Sequence, residues 1–267
     1  MKYIVIKLGG SVMEQLPASF YKNIVELFKS KQWAPIIVHG GGPLINSLLK
    51  TLKIETTFVN GLRVTDEQTL DIVEMVLSGS ANKQIVRQLI GAEGKACGLS
   101  GVDGSLLSAK PIKGSEELGY VGEVVGVNTS LLLEVVQQGY IPVISPIGID
   151  DFGQRYNING DIAASAVASS LAANLCFISD IPGIYIEENN QKMTLNTITK
   201  SEVEAMINSG QIHGGMIPKV KAALDGLVHQ VPEVSIINGL DDNSLLSYCN
   251  GEEVGTKIVL NKEISHV

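Results

Sequence analysis

What this 267-residue chain has little of bounds it first. Its three cysteines, Cys97, Cys176 and Cys249, stand singly with no CxxC pair. Such a set excludes a disulfide framework and a cysteine-based zinc site, and reads as reduced, buried thiols of a cytoplasmic protein. Basic residues are outnumbered, 20 Lys+Arg against 28 Asp+Glu, for a net charge of −8. That balance argues against nucleic-acid partners and an anionic membrane surface, while leaving room for a small basic pocket. No export signal opens the chain, because the apolar run Tyr3–Leu8 is too short for one. The uncharged stretch Ile162–Ser179 is rich in Ala, Ser and Asn, and reads as a small-residue helix and a buried strand rather than a membrane span. The familiar nucleotide and hydrolase signatures are missing as well. Only Gly40 and Gly42 have G-x-G spacing, and Ile45 breaks any GxGxxG. Gly94-Lys95 is followed by Ala96, so there is no Walker A sequence, and HExxH and GxSxG are absent. Rossmann dehydrogenase, P-loop, zincin and α/β-hydrolase readings lose their main support.

What is present is an alternation of short apolar strands with helical patterns. Hydrophobic residues make up 45% and charged residues 18%, enough for a buried core and too apolar for a disordered chain. Tyr3–Leu8, Pro35–Val38, Ile141–Ser145, Leu175–Ser179, Val234–Ile237 and Ile258–Leu260 read as strands. Helices are expected over about 19–30, from Pro43, over 65–77 with Thr65-x-x-Gln68 as a capping box, and over 80–90. Further helices follow Asn128 or Thr129, open at Asp161, follow Ser201-x-x-Glu204, and cover about 217–228. Residues 95–127 read as β. This order is that of an α/β fold with a largely parallel sheet, in which ligands bind at the carboxyl ends of the strands.

Five places carry candidate chemistry. Lys7 interrupts an otherwise buried strand, where it either reaches solvent at the strand end or faces an anion over Gly9-Gly10. His39-Gly40-Gly41-Gly42-Pro43 lets backbone approach a ligand at a helix start, with His39 itself reading as structural. Arg63, in Asn60-Gly-Leu-Arg-Val-Thr65, is either solvated or grips a carboxylate. Asp161, in Asn157-Ile-Asn-Gly-Asp161, is either a helix cap or a carboxylate that orients lysines. Lys219 sits in a first helical turn, where a cation opposes the dipole unless an anion binds there.

These segments, together with Ser80-Ala-Asn-Lys83, Gly119-Tyr-Val-Gly122, Ser179-Asp-Ile-Pro-Gly183 and Gly215-Met-Ile-Pro-Lys-Val220, occur in an order that resembles the amino acid kinase family over nearly the whole chain. Within it, Asn-Gly-Leu-Arg-Val-Thr and Ala-Asn-Lys are similar to the branch acting on N-acetyl-L-glutamate. Gly160 departs from the alanine often found there. The resemblance implies a three-layer αβα sandwich of two lobes: residues 1–173 for the acyl amino acid and a homodimer contact, residues 174–267 for ATP. It implies ATP-dependent phosphorylation of the N-acetyl-L-glutamate side chain, the second step of arginine biosynthesis, with Mg²⁺ held mainly by the ATP phosphates. Carried over by position, Lys7 and Lys219 would stabilise the transition state and Asp161 would orient both. Gly41, Gly42, Arg63 and Asn157 would contact the substrate. Gly9, Gly10, Asp180, Gly183, Ile184, Tyr185, Gln211, Ile212 and His213 would contact the nucleotide. Two other readings stay open: a related kinase with UMP or an acylated aminoadipate as acceptor, and a non-catalytic effector-binding protein on the same fold. Arginine-inhibited members of the family resemble one another in a helix ahead of the first strand. Only Met1-Lys2 precedes Tyr3 here, so inhibition by that route is not expected.

Overall fold

The computed structural model describes residues 1–188, 191–212, 216–228 and 231–260. An eight-stranded sheet runs in the order Thr197–Thr199, Thr256–Val259, Val234–Asn238, Asn174–Ser179, Lys2–Leu8, Trp33–His39, Ile141–Ser145, Ala96–Ser100. All neighbours are parallel except Val234–Asn238 and Thr256–Val259. The central strands are apolar on both faces because both are covered. From Lys2–Leu8, Ile4, Ile6 and Leu8 enter one core with residues of the helices Ala18–Lys29, Asn82–Gly91 and Ser244–Cys249. Val5 enters the other, with residues of Gly160–Ser170 and Met216–Val228. The two-residue period of a strand therefore turns Lys7, two residues on from Val5, toward the Gly160–Ser170 helix.

That helix is built for close approach: Ala163, Ala164, Ser165, Val167 and Ala168 are its buried residues. Together with Asn174–Ser179 it accounts for the uncharged stretch, and among the described residues no helix is long and apolar enough to cross a membrane. The β-rich region 95–127 divides between the sheet edge strand Ala96–Ser100 and a closed barrel of Leu107–Pro111, Val121–Val127, Ile147–Ile149 and Arg155–Ile158. Arg155 ties this barrel to the helix Glu67–Glu74 through Asp71 and Glu74.

Local expectations are corrected at four points. The cap of Glu67–Glu74 is Asp66, whose carboxylate accepts from Thr69 N, because the Thr65 hydroxyl instead bonds Arg63 O and the Thr65 backbone bridges Gly119. The helices expected at 65–77 and 80–90 are one run, joined by π-helical turns over Met75–Ala81 that absorb Gly79 without a break. The capping box at the later helix is Thr199 with Glu202, not Ser201 with Glu204, since the strand Thr197–Thr199 ends there. Asn159, not Asp161, caps Gly160–Ser170, accepting from Asp161 N and Ile162 N. Asn128 does cap its helix, through Leu131 N.

Ile6 is fully buried between the sheet and the helices on its face. Ile6→Ala should cost about 2–5 kcal/mol, read as a lower urea midpoint. A change within about 1 kcal/mol would mean that this face is loosely packed.

Candidate active site

Two adjoining cavities lie at the carboxyl ends of the central strands. The larger, ≈ 460 Å³, is lined by Lys7, Gly9, Gly10, Asp161, Ser179 and Lys219 among others. The smaller, ≈ 160 Å³, is lined by Phe58, Arg63, Leu77, Asn157 and others. Gly40, Gly41, Gly42, Asn159 and Gly160 line both, so one glycine turn is the shared wall. A side chain could not replace hydrogen at the centre of this wall. A Cβ on Gly10 would lie 2.7 Å from Pro43 Cδ and 3.0 Å from Gly42 N. One on Gly41 would lie 2.7 Å from Leu77 Cδ2, whereas Gly42 faces open space. At Gly160 a methyl would meet only ordinary contact, His39 O at 3.4 Å, so an alanine would be sterically acceptable here.

The charges are arranged around this turn. Lys7 Nζ lies 2.7 Å from Asp161 Oδ1. Capping by Asn159 frees the Asp161 carboxylate for that pairing, at a helix start where negative charge is favoured. Lys219 Nζ donates to Ser179 Oγ at 2.7 Å and pairs with Asp180, so each lysine has its own carboxylate rather than Asp161 serving both. The Lys219 contact holds the Asp180 carboxyl below the usual carboxylate range. The cation in the first turn of Met216–Val228 is thereby offset by a neighbour.

In the smaller cavity Arg63 is 7% exposed. Its Nη2 donates to Asn46 Oδ1 at 2.6 Å, and its guanidinium lies 4.7 Å from the Phe58 ring centroid. Its Nη1 is buried with no hydrogen-bond partner. Burial lowers its pKa from the ordinary value. An orphaned cationic donor in a cavity is costly unless an anion completes it. Asn157, near the end of its strand, lines the same cavity, and its Nδ2 donates to Thr65 Oγ1 at 3.1 Å.

Of the expected nucleotide contacts, Gly9 and Gly10 line the larger cavity and Asp180 adjoins it through Lys219. Gly183, Ile184, Tyr185, Gln211 and Ile212 line neither cavity. Ile184 and Ile212 are buried core residues, and Ile184 N donates to Thr256 Oγ1 at 2.7 Å. His213 lies outside the described residues. Asn46 and Phe58 escaped the reading of the sequence, which quoted Ser179 within Ser179-Asp-Ile-Pro-Gly183 but gave it no role at the site. Asn46 offered a faint signal, a poor helix former inside Gly42–Thr51. Phe58 offered none, while Ser179 had the signal of its Ser-Asp-x-x-Gly turn.

The profile of the amino acid kinase family matches residues 2–238. The chain is 48% identical to acetylglutamate kinase from Oceanobacillus iheyensis over 267 residues, which is 100% of both chains. It is 46% identical to acetylglutamate kinase from Geobacillus kaustophilus over 258 residues, 96% of each. A crystal structure of a Streptococcus mutans protein superposes with a TM-score of 0.81 at 30% identity, covering 97% of this chain and 99% of that one.

His39, at the end of its strand and fully buried, is pushed from its ordinary 6.5 to about 4, chiefly by burial. Between those values the unfolded chain binds a proton that the folded chain does not. The stabilisation is complete above pH 6.5 and is lost as pH falls toward 4, about 3 kcal/mol in all. Urea midpoints should therefore fall more steeply over that window for the wild type than for His39→Asn. Equal slopes would mean that water reaches the imidazole.

Proposed function

This chain belongs to the amino acid kinase family, and on that premise we propose that it transfers the γ-phosphoryl group of ATP to the side-chain carboxylate of N-acetyl-L-glutamate. The product is N-acetyl-L-glutamyl 5-phosphate, made in the second step of arginine biosynthesis. The curated relatives named acetylglutamate kinase support this activity at near full length. The observation that carries the acceptor's chemistry is Arg63: a buried guanidinium with one unpartnered nitrogen, in a cavity next to a lysine-lined cleft. The α-carboxylate of the acceptor completes Arg63, and the Asn157 amide oxygen accepts its acetamido N–H. The side-chain carboxylate then points across the glycine wall into the larger cavity.

The nucleophile is ionised at neutral pH, so no general base is required. A carboxylate oxygen forms a bond to the γ-phosphorus, the bond from that phosphorus to the β,γ-bridging oxygen breaks, and ADP leaves with the electron pair. What the protein supplies is position and cancellation of charge. Lys7 and Lys219 face the transferring group, with Asp161 fixing Lys7 and with Asp180 and Ser179 fixing Lys219. Gly9, Gly10, Gly41 and Gly42 bring backbone N–H groups close without side chains in the way. Among the described residues no cluster of three His, Cys, Asp or Glu could hold a metal ion, and both aspartates are already paired. Mg²⁺ would ride mainly on the ATP phosphates in this reading, offsetting their charge. Residues 174–267 would hold the rest of the nucleotide, toward Gly183, Tyr185 and Gln211, and residues 1–173 the acceptor. A homodimer belongs to the same proposal. Exposed Met75 and Ile90, beside the open edge strand Ala96–Ser100, support it. A cytoplasmic location is supported by three unpaired cysteines.

Hydroxylamine trapping of the acyl phosphate tests the reaction. Lys7→Ala or Lys219→Ala should lower kcat by about 10²–10³-fold; a variant with near wild-type kcat would remove that lysine from the mechanism. Arg63→Ala should raise KM for N-acetyl-L-glutamate by roughly 10–100-fold, the worth of a buried charged hydrogen bond. The KM for ATP should move little. Equal effects on both constants would make Arg63 a structural residue of its loop.

A further inference from the structure

Beneath the glycine turn lies a buried polar chain that none of the chemistry above uses. His39 and Asn82 are both fully buried. His39 Nδ1 lies 2.8 Å from Gly40 O, and its Nε2 lies 3.3 Å from Asn82 Nδ2. Asn82 Nδ2 donates one hydrogen to Val143 O at 2.8 Å and shares the other between Leu99 O, also at 3.3 Å, and the ring, while Asn82 Oδ1 accepts from Lys83 Nζ at 2.9 Å. Two backbone carbonyls and an ammonium leave the Asn82 amide a single orientation, NH₂ toward the ring. The ring nitrogen that meets this NH₂ must therefore be an acceptor. The other nitrogen, facing a carbonyl, must carry the proton. His39 is thus locked as the neutral tautomer protonated on Nδ1, and burial keeps it neutral.

The consequence for the turn follows from peptide geometry. Gly40 O and the N–H of Gly41 belong to one trans, planar peptide unit and point in opposite directions. The Gly40 N–H is itself tied to Leu8 O at 2.9 Å. With its carbonyl drawn down to the ring, the Gly40–Gly41 unit turns its N–H away from the ring, and Gly41 lies in the wall shared by the two cavities. We infer that His39, held by Asn82, is a positioning residue that fixes the Gly41 N–H as a donor to the oxygen charge built up between acceptor and γ-phosphoryl group. A glycine turn is otherwise free to rotate this unit, and a preorganised donor is worth more in the transition state than one that must be oriented during the reaction. This inference deepens the phosphoryl-transfer reading and rests on it.

The test combines kinetics with ¹⁵N NMR of the full-length protein labelled at histidine. The NMR spectrum of the wild type should show His39 protonated on Nδ1 and bare on Nε2 from pH 8 down to pH near 5. His39→Leu should lower kcat by roughly 10–100-fold, less than outright loss of an oxyanion-type donor. The KM values for ATP and N-acetyl-L-glutamate should stay within about threefold, because the donor acts mainly in the transition state. His39→Asn places an amide N–H where Nδ1–H was, and should recover kcat to within about threefold of wild type. Wild-type kcat in His39→Leu, or no recovery in His39→Asn, overturns the inference. Should the leucine protein fail to fold, His39→Asn is compared with His39→Gln, whose amide reaches past Gly40 O. Asparagine should retain kcat and glutamine lose it, and equal values overturn the inference. A wild-type protein that forms no acyl phosphate overturns the functional reading and this role with it. Turnover accompanied by a proton on Nε2 overturns this role alone.

Discussion

The constraint on which the rest of the site depends is the contact of backbone with backbone where two parallel strands end. Lys2–Leu8 and Trp33–His39 are in register to their last residues, Leu8 opposite His39. Their turns therefore emerge side by side, at a separation that leaves no room for a Cβ on Gly10. Onto this pair of turns the third element, the start of Gly160–Ser170, packs against His39 O and Gly40. The strand registers come from ordinary apolar burial, and the site is what those registers leave at their ends.

Charge is then added to a frame that is already rigid. Lys7 falls on the face of its strand that meets Gly160–Ser170, and Asp161 is waiting there because Asn159 has taken over the capping task. Lys219 is anchored from the opposite side by Ser179 and Asp180, at the end of a third parallel strand. Both ammonium groups are partly exposed, so their ion pairs contribute little to stability. What these pairs do is hold two flexible side chains over one cleft, with Asp161 on Lys7 and Asp180 on Lys219.

Much of this was legible in the sequence, for reasons that differ by residue. Lys7 stood out because a charge broke an apolar run, and the glycine triplet because an ordinary strand-to-helix turn does not need three. The helices failed to resolve wherever two residues satisfied the same rule. Thr65 and Asp66 could each cap, and only the pairing of Thr65 with Gly119, far along the chain, decides for Asp66. Thr199-Glu202 and Ser201-Glu204 are equivalent patterns until the end of a strand selects the first. The partner of Lys219 was hidden for a similar reason: Asp161 and Asp180 are both plausible carboxylates, and which one a lysine reaches depends on sheet order. Asn46 and Phe58 become meaningful only once Arg63 folds back between them. The assignment of Ile184 and Ile212 to the core depends on packing that local pattern does not carry.

The wall between the two cavities is mostly glycine: Gly40, Gly41, Gly42 and Gly160 line both, with Asn159 among them. A side chain added at Gly10 or Gly41 would collide with its neighbours, so this dividing surface tolerates little change while the far ends of both cavities have more room for it. On the proposed reading, changes near Phe58 and Arg63 would retune which acceptor enters without disturbing how the nucleotide sits. Such a layout is modular: the place where bonds are exchanged is insulated from the places where ligands are chosen. A scaffold of this kind can diversify its acceptors by substitution at one end while its phosphoryl chemistry stays the same.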